Sequence, residues 1–576
     1  MMKLSRRAVR LPAATLLLAS VTGCATTEIP KDRTVHDLVI RSGLIYDGSG
    51  GVPYVGDIAV EGDRIVAVGD VRSGGREEVD AAGMAVAPGF INMLSWANRS
   101  LIEDGRGMSD IRQGVTLEVF GEGWTMGPIN DTMREELQSQ LGEGGATVGW
   151  STLGEYLEFL EQKGVSPNVA SFVGATTVRI HELGERDVDP DAEQLGRMRA
   201  LVRNAMEEGA MGLGSALIYA PGNYAETPEL VALAEESGRC GGMYISHMRS
   251  EADDIGSAVD EVITIAREGG LPAEIYHLKL AGKRNWDRLP EVISKIEDAR
   301  RSGIRLSTNM YLYTAGGTGL DAVIPPWAQD GGRDAMLERL QDPGTRVRVL
   351  EDMRAAESDW ENLLRAAGAD GVLLVSSENP TIEPLMGKTL AEIAAMRGKS
   401  AEETAIDLVL EDADIGAIYF MMSEENVARQ VALPWMSFGS DAAAPAAEGE
   451  TLDDAAHPRT YGNFARLLGK YVREEKAVPL AQAIRGLTAL PASNLGLRQR
   501  GSLAVGNFAD IVVFDPATIS DHATYDHPHQ YATGVTEVFI NGVQVLSDGE
   551  HTGAKPGRVV RGPGWTGWPD GGACQS

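Results

Sequence analysis

The chain has 576 residues, 43% of them hydrophobic and 23% charged, an ordinary globular balance that argues against disorder and allows one large core with smaller satellites. Its 83 Asp and Glu against 52 Lys and Arg leave a formal net charge of −31, which repels phosphate backbones over most of the surface and speaks against nucleic acid as a partner. The acidity is read as a solubility device.

The first residues, "MMKLSRRAVRLPAATLLLASVTGCATTEIP", combine a basic start, a short apolar stretch and small residues before a cysteine, the pattern of an export signal too short to span a bilayer as a mature helix. "VTGC" resembles a bacterial lipobox, which implies cleavage after residue 23, lipid on the sulfur of Cys24 and a membrane anchor on the periplasmic face. Ala25 after the cysteine resembles an outer-membrane signal. A plain secretory signal is the alternative, and "SRRAVR" leaves the general and twin-arginine routes both open. Of the three cysteines, Cys240 and Cys574 lie far apart, so no disulfide framework is predicted.

After a linker over 24–36, residues 37–87 alternate in short runs such as "GDIAVEGDRIVAVGD" between Gly and Asp turns, which predicts antiparallel β-structure. The same style returns over 491–560, before a tail at 561–576. Two β-rich ends around a long middle predict one small composite β-sandwich. Residues 88–328 and 430–490 alternate strand-like runs ("SFVGATTV", "GGMYISHM", "PAEIYHLKL", "LPWMSFGSDA") with amphipathic helical ones, which predicts an α/β fold with a closed (β/α)8 barrel. The charged helices of 329–429 are expected to form an insertion above the barrel mouth.

His247 and His277 fall at the C-terminal ends of predicted barrel strands, where barrel active sites are built. A lone histidine there is ordinarily a hydrogen-bonded core residue. Here each is followed two positions on by a cation, Arg249 in "SHMRSE" and Lys279 in "YHLKLAG". A strand's period of two then predicts imidazoles for a metal and cations for a substrate carboxylate on one face. Asp441 in "SFGSDA" ends the last barrel strand, as a proton acceptor or a turn cap. Glu122 in "GEGW" stands between glycines that permit close approach to a ligand, as a third metal donor or a turn residue.

The ordered set "VAPGFIN", "DIRQGVTLEVFGEG", "SHMRSE", "YHLKLAG", "YLYTAGGT", "SFGSDA", "AHPRTYGNFARLLGKYV" and "GSLAVGNFADIVVFDP" resembles the amidohydrolase superfamily, and within it the N-acyl-D-amino-acid deacylases. The resemblance implies a zinc-dependent hydrolase acting on a small-molecule N-acyl amino acid or small peptide. It makes His247 and His277 metal ligands, Asp441 the catalytic carboxylate, and Arg249, Lys279, Tyr219 and Arg459 substrate contacts. The chain departs from that pattern where the family has a first-strand His-x-His, which here reads Leu94-Ser95-Trp96, and where the family's cysteine ligand is replaced by Glu122. Leucine and indole donate nothing to a metal, so one Zn²⁺ per chain is expected on Glu122, His247 and His277, with Trp96 as an apolar wall. Such a donor set also accepts other divalent metals. The alternative is a degenerate barrel that binds a peptide or amino-acid derivative without turnover. Substrate side chain, chirality, acyl group and oligomeric state stay open.

Overall fold

The computed structural model describes residues 35–142, 145–452 and 456–574. The signal-like segment and Cys24 lie outside the described residues.

Eight short parallel strands form the barrel. Six of them run side by side from Val173–Gly174 through Gly212–Ala216, Met243–His247, Ala273–Ile275 and Leu306–Met310 to Met436–Phe438. Phe90–Asn92, Val115–Phe120 and Asn168–Ser171 continue the wall, with Phe172 as the break that separates Asn168–Ser171 from Val173–Gly174 in the third strand. The ring closes between first and last strands, where the Met93 N–H donates to the Phe438 carbonyl and the Asp441 N–H to the Leu94 carbonyl. Most strand residues are buried on both faces, as expected where helices cover the outside of a parallel sheet. Those helices carry the apolar stripe the sequence predicts. In Ile255–Glu268 it consists of Ile255, Ala258, Val259, Val262, Ile263 and Ala266, and Leu153–Lys163 begins with a capping box between Thr152 and Glu155.

Both chain ends meet in one nine-stranded sheet of the composite β-sandwich. Ile511–Phe514 pairs antiparallel with Ala85–Pro88, and Leu38, Ile58, Val86, Ile511, Val513 and Phe539 share one apolar cluster. Between Met310 and Met436 the chain leaves the barrel to form a three-stranded antiparallel sheet of Ala315–Gly319, Gly416–Phe420 and Val372–Ser376. That excursion starts at Ala315, ahead of residue 329, because Ala315–Gly319 pairs antiparallel with Gly416–Phe420 and not with a barrel strand.

The cysteine expectation is overturned. Cys240 and Cys574 form a disulfide across 334 residues of sequence. The tail returns along the barrel, with the Val560 N–H on the Val169 carbonyl and the Gly562 N–H on the Gly209 carbonyl, and so reaches the helix end that carries Cys240. Sequence separation carries no information about such a return.

Candidate active site

The site stands at the C-terminal ends of the barrel strands. Glu122 follows the second strand between Gly121 (φ +113°) and Gly123 (φ +73°). A Cβ on Gly121 would sit 2.7 Å from the Phe172 carbonyl oxygen, and one on Gly123 would sit 2.8 Å from Ala216. The glycines therefore let this turn press against the third and fourth strands, which aims the Glu122 carboxylate into the barrel. His247 is the last residue of the fifth strand. His277 (φ +29°) and Asp441 (φ +52°) hold left-handed backbones just past the sixth and eighth strands, a strained conformation for non-glycine residues that clusters at functional sites.

Glu122 Oε1 lies 2.9 Å from His247 Nδ1 and 2.8 Å from His277 Nε2. All three side chains are buried, and their donor atoms lie within 4.8 Å of one another. One carboxylate oxygen and two imidazole nitrogens converging in this way fit a divalent metal, since separations near 2.9 Å would need to open only to about 3.4 Å to admit a tetrahedral ion at about 2.1 Å. Behind the imidazoles sits buried Glu251, 3.0 Å from His277 Nδ1 and 3.4 Å from His247 Nε2. A carboxylate behind a ligating histidine favours its orientation by charge, while the hydrogen bond to His277 Nδ1 comes from Lys279 Nζ at 2.7 Å and His247 Nε2 makes none among the described residues. Glu251 is itself held by Lys279 Nζ at 2.7 and 2.8 Å.

Trp96 does not form an apolar wall. Its indole N–H donates to Glu122 Oε2 at 3.0 Å and to Asp441 Oδ1 at 3.1 Å, so one neutral donor bridges two carboxylates. The other Asp441 oxygen lies 2.7 Å from Arg459 Nη1. The floor of a cavity of about 480 Å³ is thus built from Trp96, Glu122, His247, His277 and Asp441, with Tyr219, Tyr311, Lys279 and Arg459 around it.

Burial acts on Glu122, His247, Glu251 and Asp441. It would raise Glu122, but the two histidines beside it outweigh that and hold its carboxyl well below the usual range. Burial opposes charge on His247, yet Glu251 and Glu122 lift it to about 9. Burial also raises Glu251, which Lys279 and the histidines nevertheless keep ionised far below the ordinary value. Asp441 is raised, by burial first, with Arg459 opposing. A carboxylate raised in this way is a stronger proton acceptor.

The predicted residues Glu122, His247, His277, Asp441, Tyr219, Lys279 and Arg459 come together in this cavity; Arg249 does not. The strand ends at His247, so the period of two stops before Arg249. Its guanidinium turns away to Glu261 at 2.9 Å and to the Asn223 and Ala225 carbonyls, both at 2.7 Å. Lys279 reaches the cavity, but its ammonium is engaged by Glu251 and by His277 Nδ1 at 2.7 Å. Arg459, over the face of Tyr311, keeps a buried Nε–H without a hydrogen-bond partner among the described residues. Sequence reasoning missed Glu251, although a carboxylate four residues after His247 in "SHMRSE" was the available signal. It also missed the polar use of Trp96, for which residue type offered none.

A closed barrel with a composite β-sandwich and a buried Glu-His-His donor set beside a strand-end aspartate defines a metal-dependent hydrolase of the amidohydrolase type. Residues 119–546 match the model of the amidohydrolase family, and the chain belongs to that family. D-aminoacylase of Alcaligenes xylosoxydans xylosoxydans is 34% identical over 531 residues, covering 92% of this chain and 98% of that protein. A D-aminoacylase structure, described for its binuclear metal centre with one-metal activation and second-metal attenuation, superposes with a TM-score of 0.77 at 32% identity, covering 91% of this chain and all of that one. N-acyl-D-glutamate deacylase from Bordetella bronchiseptica, solved with zinc and a phosphonate mimic of the tetrahedral intermediate, superposes with a TM-score of 0.76 at 30% identity over 92% of this chain and all of that one.

Proposed function

We propose that this protein hydrolyses the amide bond of N-acyl-D-amino acids with one divalent metal, zinc by analogy with the relatives. The observation that carries the reading is the convergence of Glu122, His247 and His277 on one point, with Asp441 adjoining and Arg459 at its side. A metal bound there supplies Lewis acidity toward a carbonyl and a water molecule. The chain's own residues do the rest. Asp441 takes the proton of the attacking water and returns a proton to the departing nitrogen, so the C–N bond breaks to a carboxylic acid and an amine. Arg459 receives the substrate carboxylate, for which its planar fork is suited. Lys279 and Glu251 hold the histidine rings, and Tyr219, edge-on to His247, walls the cavity. A panel of N-acetyl-D- and N-acetyl-L-amino acids and dipeptides tests the reading. Turnover of the D-series by the zinc-loaded protein is expected. Binding without turnover of any member would leave the degenerate-barrel reading instead.

Trp96 supports the stoichiometry of one. Its N–H occupies the space between Glu122 and Asp441 that a second cation would need, and Leu94 is buried in the barrel interior. Elemental analysis is expected to find about one zinc per wild-type chain and about two after Leu94→His and Trp96→His together, which restore a His-x-His pair. Two tightly held ions in the wild type would refute this account.

We read the protein as exported and lipid-anchored through Cys24, at the periplasmic face of a bacterial membrane. The Cys240–Cys574 disulfide supports an oxidising compartment. Among the described residues no helix is long and apolar enough to cross a membrane. Fractionation is expected to find the wild type with membranes and Cys24→Ala without the lipid-modified species. Soluble, unmodified protein with Cys24 intact would refute the anchor.

A further inference from the structure

Beside the catalytic cavity lies a second, larger hollow of about 720 Å³, and the two share a pair of walls, Trp96 and Trp124. Its floor is apolar. Ile129 and Met133 are each only 6% exposed, and Met126 and Leu137 are half-buried against the same core. Met133 and Leu137 are four apart on the helix Asp131–Leu141, so they present one continuous stripe to the hollow. The rim is charged, with Arg99 paired to Glu103 at 3.1 Å along one edge and Glu136 beyond. An apolar floor, a charged rim and a Trp124 indole left 42% exposed at the junction are the marks of a ligand-binding groove.

The direction in which a substrate lies follows from Arg459, because the Lys279 ammonium is held by Glu251 and His277. Arg459 and Lys279 stand over the ring of Tyr311, at 4.6 and 5.5 Å from its centre, and Arg459 also reaches the Gly317 carbonyl at 3.4 Å. None of these residues lines the apolar hollow. A substrate whose carboxylate meets Arg459 and whose scissile carbonyl faces Glu122, His247 and His277 therefore has its acyl end free to pass Trp96 and Trp124 into the hollow.

We propose that the acyl part of the substrate is a medium- or long-chain fatty acyl group, and that this groove between the cavity and the helix Asp131–Leu141 binds its alkyl chain. The proposal rests on the deacylase reading and names its substrate class. The groove offers no buried cation that would hold a charged acyl terminus, and its width at the floor is set by flexible methionines, which adapt to a chain without one fixed shape.

The test is a series of N-acetyl, N-butanoyl, N-octanoyl and N-dodecanoyl derivatives of one D-amino acid, assayed with the zinc-loaded wild type. Each methylene taken from water into an apolar groove is worth about two- to fourfold, so kcat/KM is expected to rise at least about sixtyfold over the added methylenes from acetyl to octanoyl. Leu137→Glu places a charge on the groove floor and is expected to reduce the ratio of dodecanoyl to acetyl turnover at least about fivefold, because the alkyl chain then desolvates a carboxylate. Direct titration of the same series into Asp441→Asn reads the groove by affinity, independently of turnover. Hydrolysis of the acetyl compound with a flat or falling chain-length profile would overturn the acyl groove and leave the deacylase reading standing. Tighter binding of longer chains with no hydrolysis of any member would support the groove and overturn the deacylase. Affinity indifferent to chain length would refute the groove in either case.

Discussion

Asp441→Asn is expected to lower kcat by at least about 10²-fold, the lower end for loss of a general acid-base group, while zinc content stays at the wild-type level. The amide keeps the size of the carboxylate and an oxygen to accept the Trp96 N–H now found at 3.1 Å. It cannot take a proton from water at neutral pH. None of the three metal donors is altered, because Glu122, His247 and His277 meet one another without Asp441. Steady-state kinetics on an N-acyl-D-amino acid, paired with elemental analysis of the same preparation, separates the two effects. A variant that turns over at the wild-type rate would remove Asp441 from the chemistry, and one that loses zinc would make it a ligand.

His277→Ala is expected to behave differently, with metal and activity lost together. Its imidazole is one of only two nitrogen donors in the cluster, and the remaining Glu122 and His247 form an incomplete set for a tetrahedral ion. Glu251→Gln is the graded companion. Glu251 touches no donor oxygen but backs both rings, at 3.0 and 3.4 Å, so its loss is expected to weaken zinc about 10- to 100-fold, the usual cost of removing an outer-shell partner. Titration with a competing chelator reads both variants on one scale. Retention of one tight zinc by His277→Ala would refute the site.

Much of this site was legible because its residues are tied to strand ends, and strands announce themselves in alternation. His247, His277 and Asp441 each close a buried apolar run, and the barrel topology brings such ends to one face whatever lies between them. What failed was extrapolation past those ends. The period of two holds only while the backbone stays extended, so it misdirected Arg249, whose partner is Glu261. For Lys279 the backbone reverses at His277, and the side chain reaches the cavity by a turn that no periodicity describes.

The sequence by itself determined the class of fold and singled out Glu122, His247, His277 and Asp441, because strand ends follow from hydrophobic period; that Leu94-Ser95-Trp96 stands where a His-x-His pair would be was legible only through the family resemblance. Only the tertiary structure decided what replaced that pair. Hydrogen bonding is directional, and nothing in the string "LSWAN" states that the Trp96 N–H would lie between Glu122 and Asp441. The same holds for Glu251 behind the histidines, for the tail that joins Cys574 to Cys240, and for the apolar groove against Trp124. Each is a meeting of segments far apart in the chain, and such meetings are set by packing in three dimensions, which local pattern does not encode.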